Sequence, residues 1–175
     1  MKRDQRGFSL VEIIVVIAIT AILVGSSVTM INYIRYANTQ KAVEAVGDML
    51  DRQRISSMSQ QGTQYLYIYR LDDGYYMKAL YNTKLSSYNS GSLGSGGIKI
   101  CSESIAIRWE DFDGNQTELQ KENQVIRVVF KRSGVLNTDP RENSYSTNVS
   151  KIIFEGSSTY TITLIEETGK HIIEP

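Results

Sequence analysis

The sequence has few of the residues that build disulfides, metal sites or chain breaks. Cys101 is the only cysteine and His171 the only histidine among 175 residues, and proline occurs twice. One cysteine allows no internal disulfide, so an exported domain of this chain must be held together by packing alone. One histidine excludes a histidine-rich metal site, and we expect no metal ligands.

Charge imbalance and catalytic motifs are also missing. Nineteen basic residues balance nineteen acidic ones, so bulk charge does not predict nucleic-acid binding. No serine lies in a Gly-x-Ser-x-Gly motif, and no glycine-rich loop leads into a Lys-Ser or Lys-Thr pair. We therefore expect no enzyme activity, no catalytic residues, no cofactor and no small-molecule substrate.

Charged residues are absent from one long stretch near the N-terminus. The 22 residues from Ile13 to Ile34 carry no charge. As a helix with a rise of about 1.5 Å per residue they would extend about 33 Å, enough for the roughly 30 Å core of a bilayer. In the first seven residues Lys2, Arg3 and Arg6 outweigh Asp4, which predicts that the N-terminus stays cytoplasmic and the rest of the chain lies outside.

Glu12 stands at the edge of this apolar stretch. An ionisable side chain there is costly, which makes Glu12 a candidate functional residue. A cleaved signal peptide, cut after the small residues Gly25-Ser26-Ser27, is one alternative. A plain uncleaved anchor is another. Neither alternative accounts for the acid, nor for the glycine that precedes Phe8.

The segment Gly7-Phe8-Ser9-Leu10-Val11-Glu12, followed by Ile13-Ile14-Val15-Val16-Ile17-Ala18-Ile19, closely resembles the class III signal of type IV prepilins and pseudopilins. The resemblance covers about the first thirty residues. It implies that a membrane prepilin peptidase cleaves between Gly7 and Phe8 and methylates the new amino group of Phe8. It also implies that Glu12 of one subunit pairs with the Phe8 amine of a neighbour during assembly.

A pair between the Glu12 carboxylate and the Phe8 amine of a neighbour would set the relative position of the two helices. A buried carboxylate without a partner costs several kcal/mol or takes up a proton. Pairing offsets that desolvation only at one axial offset between neighbouring helices, so the pair would fix register more than add net stability.

The rest of the chain predicts an α+β fold, in which a long N-terminal helix packs on an antiparallel β-rich head. Residues 1–7 form the leader, 8–34 the transmembrane and assembly helix, 35–61 its amphipathic half and 62–175 the head. In the amphipathic half one arc carries Tyr36, Val43, Val46 and Leu50, and the opposite face is polar. Gln61-Gly62-Thr63 is a predicted helix end.

Beyond residue 62 apolar side chains recur at every second position, the pattern of β-strands. Strands on either side of Asp72-Asp73-Gly74 predict a hairpin. Long loops are expected at Asn82–Gly97 and Asn137–Asn148. Further strands are predicted at Ile98–Cys101, Ile105–Trp109, Val125–Lys131, Lys151–Phe154, Tyr160–Leu164 and His171–Ile173. Asp111–Asn115 holds a fragment of a calcium-loop pattern, but its spacing favours a plain turn.

A second, looser resemblance concerns the end of the head. A Phe130-x-x-x-Gly134 turn and a Thr168-Gly169-Lys170 turn between late strands look like the head of H-type minor pseudopilins. This resemblance favours a minor subunit over the main subunit of a filament.

Together these features predict a membrane-anchored minor pilin or pseudopilin that primes or caps a type IV pilus-like filament after leader cleavage. Its partners would be other pilin subunits, the prepilin peptidase, the inner-membrane assembly platform and the lipid bilayer. It would cross the cytoplasmic membrane once before entering an extracytoplasmic filament. A competence subunit for DNA uptake, hinted at by Arg127, Lys131 and Arg132, or a type II secretion subunit is one alternative. A membrane-tethered domain that binds a surface ligand is another.

Overall fold

A computed structural model describes residues 9–82, 93–94, 96–121, 124–138 and 148–175, with the backbone alone at 26–29 and 32. The chain divides into two compact units, Met1–Arg35 and Tyr36–Pro175. We call the second unit the head. One helix, α1, spans Leu10–Ser59, so 50 consecutive residues are helical and its last 24 residues belong to the head. The predicted helix end at Gln61-Gly62-Thr63 is confirmed to within two residues.

Two antiparallel sheets follow the helix, which confirms the α+β class. The first sheet has the order β3-β2-β1-β6 and the second β5-β4-β7-β8-β9. Their strands are β1 Gln64–Leu71, β2 Gly74–Tyr81, β3 Ile98–Cys101, β4 Ala106–Asp111, β5 Gln116–Glu118, β6 Val125–Val129, β7 Val149–Glu155, β8 Thr159–Leu164 and β9 His171–Glu174.

The hairpin prediction is confirmed in register. Leu71 pairs with Gly74 across the two-residue turn, and the ladder continues to Gln64 opposite Tyr81. Gly74 has φ +141°, a conformation that L side chains rarely adopt, and a Cβ at this position would overlap the carbonyl oxygen of Cys101. A glycine is therefore required at the end of this turn.

The main core of the head joins the helix to both sheets. Val43, Val46 and Leu50 are buried, as the helical stripe predicts. Tyr36, the first residue of the stripe, is 45% exposed. The hydroxyl of Tyr36 accepts a hydrogen bond from that of Tyr160 on β8, at 2.7 Å. The sheets contribute a further set of buried side chains: Leu66, Ile68, Tyr75, Met77, Ile107, Ile126, Val128, Ile152, Phe154, Ile162 and Leu164.

The first sheet is buried on its other face too, which explains why β1 carries large side chains at consecutive positions. Tyr65, Tyr67 and Tyr69 form a second cluster with Leu93, Val125 and Val129. The hydroxyl of Tyr69 donates to the carbonyl of Gly94, at 2.9 Å. Most of the loop expected at Asn82–Gly97, and residues 139–147 of the loop expected at Asn137–Asn148, lie outside the described residues.

Two late turns meet at the end of the helix. Gly134 has φ +81° and Gly169 has φ +63°. A Cβ on Gly169 would overlap the carbonyl oxygen of Gly134, so the two turns touch through their backbones. Arg54 joins both turns to the helix, because its Nε donates to the carbonyl oxygens of Gly134 and Thr168, each at 3.1 Å. Sequence alone gave Arg54 no role, since it interrupts the apolar stripe.

We expect Gly169→Ala to lower the free energy of unfolding by about 2 to 4 kcal/mol, because a left-handed backbone and a steric overlap act together. Gly114→Ala is the matched control. Gly114 also has positive φ (+87°), but a Cβ there meets nothing within 4 Å, so about 1 kcal/mol is expected. Urea unfolding of the full chain in detergent measures both, and equal losses would contradict this packing of the two turns.

We expect the Cys101 thiol to be unreactive in the folded chain. Cys101 is buried in the core, and that burial raises its pKa to about 12, so the neutral thiol persists at ordinary pH. Iodoacetamide at pH 8 should alkylate it roughly a hundredfold more slowly than in the urea-unfolded chain. Equal rates in the two states would show that the thiol is accessible.

Candidate functional site

Of the three predicted site residues, the structure describes Glu12, which lies in the first turn of α1. Gly7 and Phe8, the proposed cleavage and methylation positions, lie outside the described residues. Glu12 is the third residue of the helix and the acid of its first turn. A carboxylate there interacts favourably with the positive end of the helix dipole.

Ser9 forms the N-terminal cap of this helix. The backbone amide of Glu12 donates to the Ser9 Oγ at 3.2 Å. Ser-x-x-Glu is the sequence of a capping box, in which the serine satisfies one of the free amides of the first turn. The signal was present in Ser9-Leu10-Val11-Glu12, and reasoning from the acid alone missed it. Glu12 thus has a local role in starting the helix, besides any role between subunits.

The helix surface that follows Glu12 is apolar and exposed. Every residue from Ser9 to Gly25 is exposed, including side chains that point in all directions around the helix axis. Ile14 is 57% exposed, Ile17 60% and Ile22 72%. A helix that is apolar on all sides is found in a protein core or in a membrane. Within the part of the chain that the structure describes, nothing covers this surface.

Over the same described residues, no helix satisfies the combined length and hydropathy criterion for a membrane span.

In the turn at Asp111–Asn115 the Asp111 carboxylate accepts hydrogen bonds from residues of the same turn. Asp111 Oδ1 accepts from the backbone amides of Asp113 and Asn115 at 2.9 and 2.8 Å, and Oδ2 accepts from the Asn115 side chain. The Asn115 hydrogen bonds lower the pKa of the Asp111 carboxyl. Among the described residues no group of three or more potential metal ligands comes together. The predicted plain turn is what the geometry shows.

The second sheet carries ion pairs between strands β4 and β7, one between residues directly opposite each other and one on a diagonal. Lys151 Nζ lies 2.7 Å from Glu110 Oε1, and this contact lowers the pKa of Glu110. Arg108 pairs with Glu155 at 3.3 Å. Exposed pairs of this kind contribute little to stability, and the arrangement is typical of a solvated sheet face.

The basic residues that hinted at DNA binding do not form one surface. Arg127 is 1% exposed, and its Cζ lies 6.0 Å from the ring centroid of Tyr65. Lys131 and Arg132 are exposed in the turn after β6. The expectation that Arg127 contributes to a basic stripe is therefore wrong, because its strand is buried on both faces.

The motifs of the second resemblance lie together. Phe130 Cδ1 would be 3.3 Å from a Cβ on Gly169, and the backbones of Gly134 and Gly169 touch. The amide of Leu136 donates to the carbonyl of Glu166 at 3.3 Å, which ties the chain after the first turn to the start of the second. The two sequence turns are thus parts of one structural feature.

Comparison with known proteins identifies the N-terminal segment. Residues 2–28 match the family described as the prokaryotic N-terminal methylation motif. No curated protein and no solved structure is significantly similar to this chain. The matched range contains Gly7, Phe8 and Glu12, and the long helix and antiparallel sheets that follow agree with a type IV pilin-like architecture. Residues 2–28 therefore carry the class III signal, which is consistent with a type IV prepilin or pseudopilin.

Proposed function

We propose that this chain is a membrane-anchored minor pilin or pseudopilin that primes or caps a type IV pilus-like filament. The observation that carries the proposal is the exposed apolar surface of α1, most of which lies within the matched methylation motif. That surface needs lipid before assembly and other helices after it. The proposed sequence of states is a single-pass anchor with its head outside, followed by extraction into a bundle of like helices.

The proposal assigns three steps to three residues. The prepilin peptidase cleaves the Gly7–Phe8 bond, so Gly7 leaves with the leader and Phe8 becomes the new N-terminus. The same enzyme methylates the Phe8 amine. The Glu12 carboxylate then pairs with the Phe8 amine of a neighbouring subunit and fixes the axial offset between the two helices.

A minor role is supported by the head. Arg54 donates hydrogen bonds to both the Phe130–Gly134 turn and the Thr168–Lys170 turn. These two turns resemble those of H-type minor pseudopilins. A DNA-uptake role has less support, since burial of Arg127 leaves Lys131 and Arg132 as its basic residues.

Processing predicts a defined mature N-terminus. In a host that has prepilin peptidase, the membrane-extracted chain should begin at Phe8, contain 168 of the 175 residues and carry one added methyl group. Intact-mass spectrometry with sequencing of the N-terminal peptide measures this. A peptidase-deficient host is the control and should yield the full 175-residue chain. A chain that keeps Met1 in both hosts would contradict the proposal.

Two substitutions at Glu12 separate its capping role from its pairing role. Glu12→Gln keeps the capping-box pattern but removes the charge, and Glu12→Ala removes both. If pairing is what Glu12 provides, both variants should be processed and membrane-bound, and both should enter filaments at least about tenfold less often, since an unpaired buried amine costs more than 1.4 kcal/mol. Quantitative immunoblots of sheared filaments and membranes measure the two pools. Normal incorporation of Glu12→Gln would reduce Glu12 to a helix cap.

A further inference from the structure

A cleft of about 380 Å³ opens in the head beside the edge strand β3. It lies between the first turns of the head's part of α1 and the chain that leaves β3. Seven residues line it: Asn38, Lys41, Lys99, Ile100, Cys101, Ser102 and Ile105. Nothing in the assembly function described above uses this cleft.

The lining of the cleft combines cations with apolar surface. Ile105 and Cys101 are buried, whereas Lys41, Asn38 and Ser102 are exposed. No acidic residue belongs to the lining. Such a lining favours an anionic group that has an apolar part attached to it.

The two lysines of the cleft differ in their partners. Lys99 Nζ lies 2.8 Å from Asp73 Oδ2, so its charge is already balanced. No ion pair involves Lys41 among the residues that the structure describes. Lys41 is therefore the cation that an incoming anion would meet.

The place of Lys41 along the helix limits which anions the cleft could meet. Asn38 and Lys41 follow Ile34, the last residue of the uncharged stretch, by four and seven residues of α1. At a rise of about 1.5 Å per residue these are about 6 and 10 Å along the helix. The polar headgroup layer of each leaflet is about 5 to 7 Å thick. A lysine two turns beyond the apolar stretch can reach back to that layer.

We propose that this cleft binds the phosphate of an anionic phospholipid headgroup while the subunit is held in the membrane, with Lys41 as the contacting cation. The inference rests on the proposed membrane anchoring. The anion leaves the cleft when the subunit is extracted from the bilayer, so binding belongs to the membrane-held state and not to the filament.

The test uses the full chain in phosphatidylcholine vesicles that contain a trace of spin-labelled phosphatidylglycerol or spin-labelled phosphatidylcholine. The motionally restricted fraction of each label gives the preference of the protein for the anionic lipid. Lys41→Gln should lower that preference about fivefold, the scale of one basic side chain at an anionic surface. An unchanged preference would overturn the proposal.

Two further variants distinguish binding of the lipid headgroup in the cleft from diffuse electrostatic attraction of anionic lipid to the protein. Ser102→Phe fills the cleft without changing charge and should lower the preference as Lys41→Gln does. Arg35→Gln removes a cation that precedes the cleft and lies outside its lining, and should have the smaller effect. A normal preference in Ser102→Phe, or an equal loss in Arg35→Gln, would mean diffuse attraction only and would overturn the proposal. Urea unfolding of each variant verifies that the head is folded.

The source of the phosphate is tested separately. Inorganic phosphate added to the full chain in neutral detergent should not displace bound phosphatidylglycerol. Displacement at millimolar phosphate would indicate a site for a free anion and would contradict the lipid assignment. The two proposals can fail independently. If Lys41→Gln loses the lipid preference but is still cleaved at the leader and still enters filaments, the cleft is not needed for assembly and the assembly function stands.

Discussion

The structure depends on an apolar helix surface that the described part of the chain does not cover. Between Leu10 and Ile34 the large aliphatic side chains with described positions are 46% to 76% exposed. Burial of one such side chain contributes about 1.5 to 3 kcal/mol, so the whole surface represents tens of kcal/mol. A free energy of that size exceeds the net stability of an ordinary domain, which is about 5 to 15 kcal/mol. Cover for this surface is therefore the dominant requirement on this protein, and the proposed function supplies that cover first as lipid and then as like helices.

The first turn of the helix shows how one segment serves two purposes. Ser9 caps the helix through the amide of Glu12, so helical structure begins two residues after the expected cleavage point. The Glu12 carboxylate remains exposed on that turn, where the helix dipole already favours it. Local capping and pairing between subunits are compatible, because the cap uses the backbone amide of Glu12 and the pair would use its side chain.

Local sequence patterns predicted most of the elements, and long-range packing decided what they missed. The hairpin of β1 and β2 follows from alternation and the Asp72-Asp73-Gly74 turn, since both signals are local. Strand β5 was missed because Gln116–Glu118 is short and polar and pairs only with β4. The burial of Arg127 and the hydrogen bonds of Arg54 to the two late turns depend on residues distant in sequence. The spacing of apolar residues along the chain cannot predict such contacts. Glu12 was found from sequence as an acid in an apolar context, whereas Ser9 required attention to helix capping.

The most direct test of this account measures what surrounds the apolar surface. Nitroxide labels are placed by cysteine substitution at Ile17, Ile19 and Ile22 in turn, in a background where the buried Cys101 stays unlabelled. In vesicles, collisions with dissolved oxygen should be frequent and collisions with a water-soluble nickel chelate rare at all three positions. In filaments both should become rare, as helices replace lipid. Frequent nickel collisions at these positions in vesicles would contradict the account, because the helix would then lie in water.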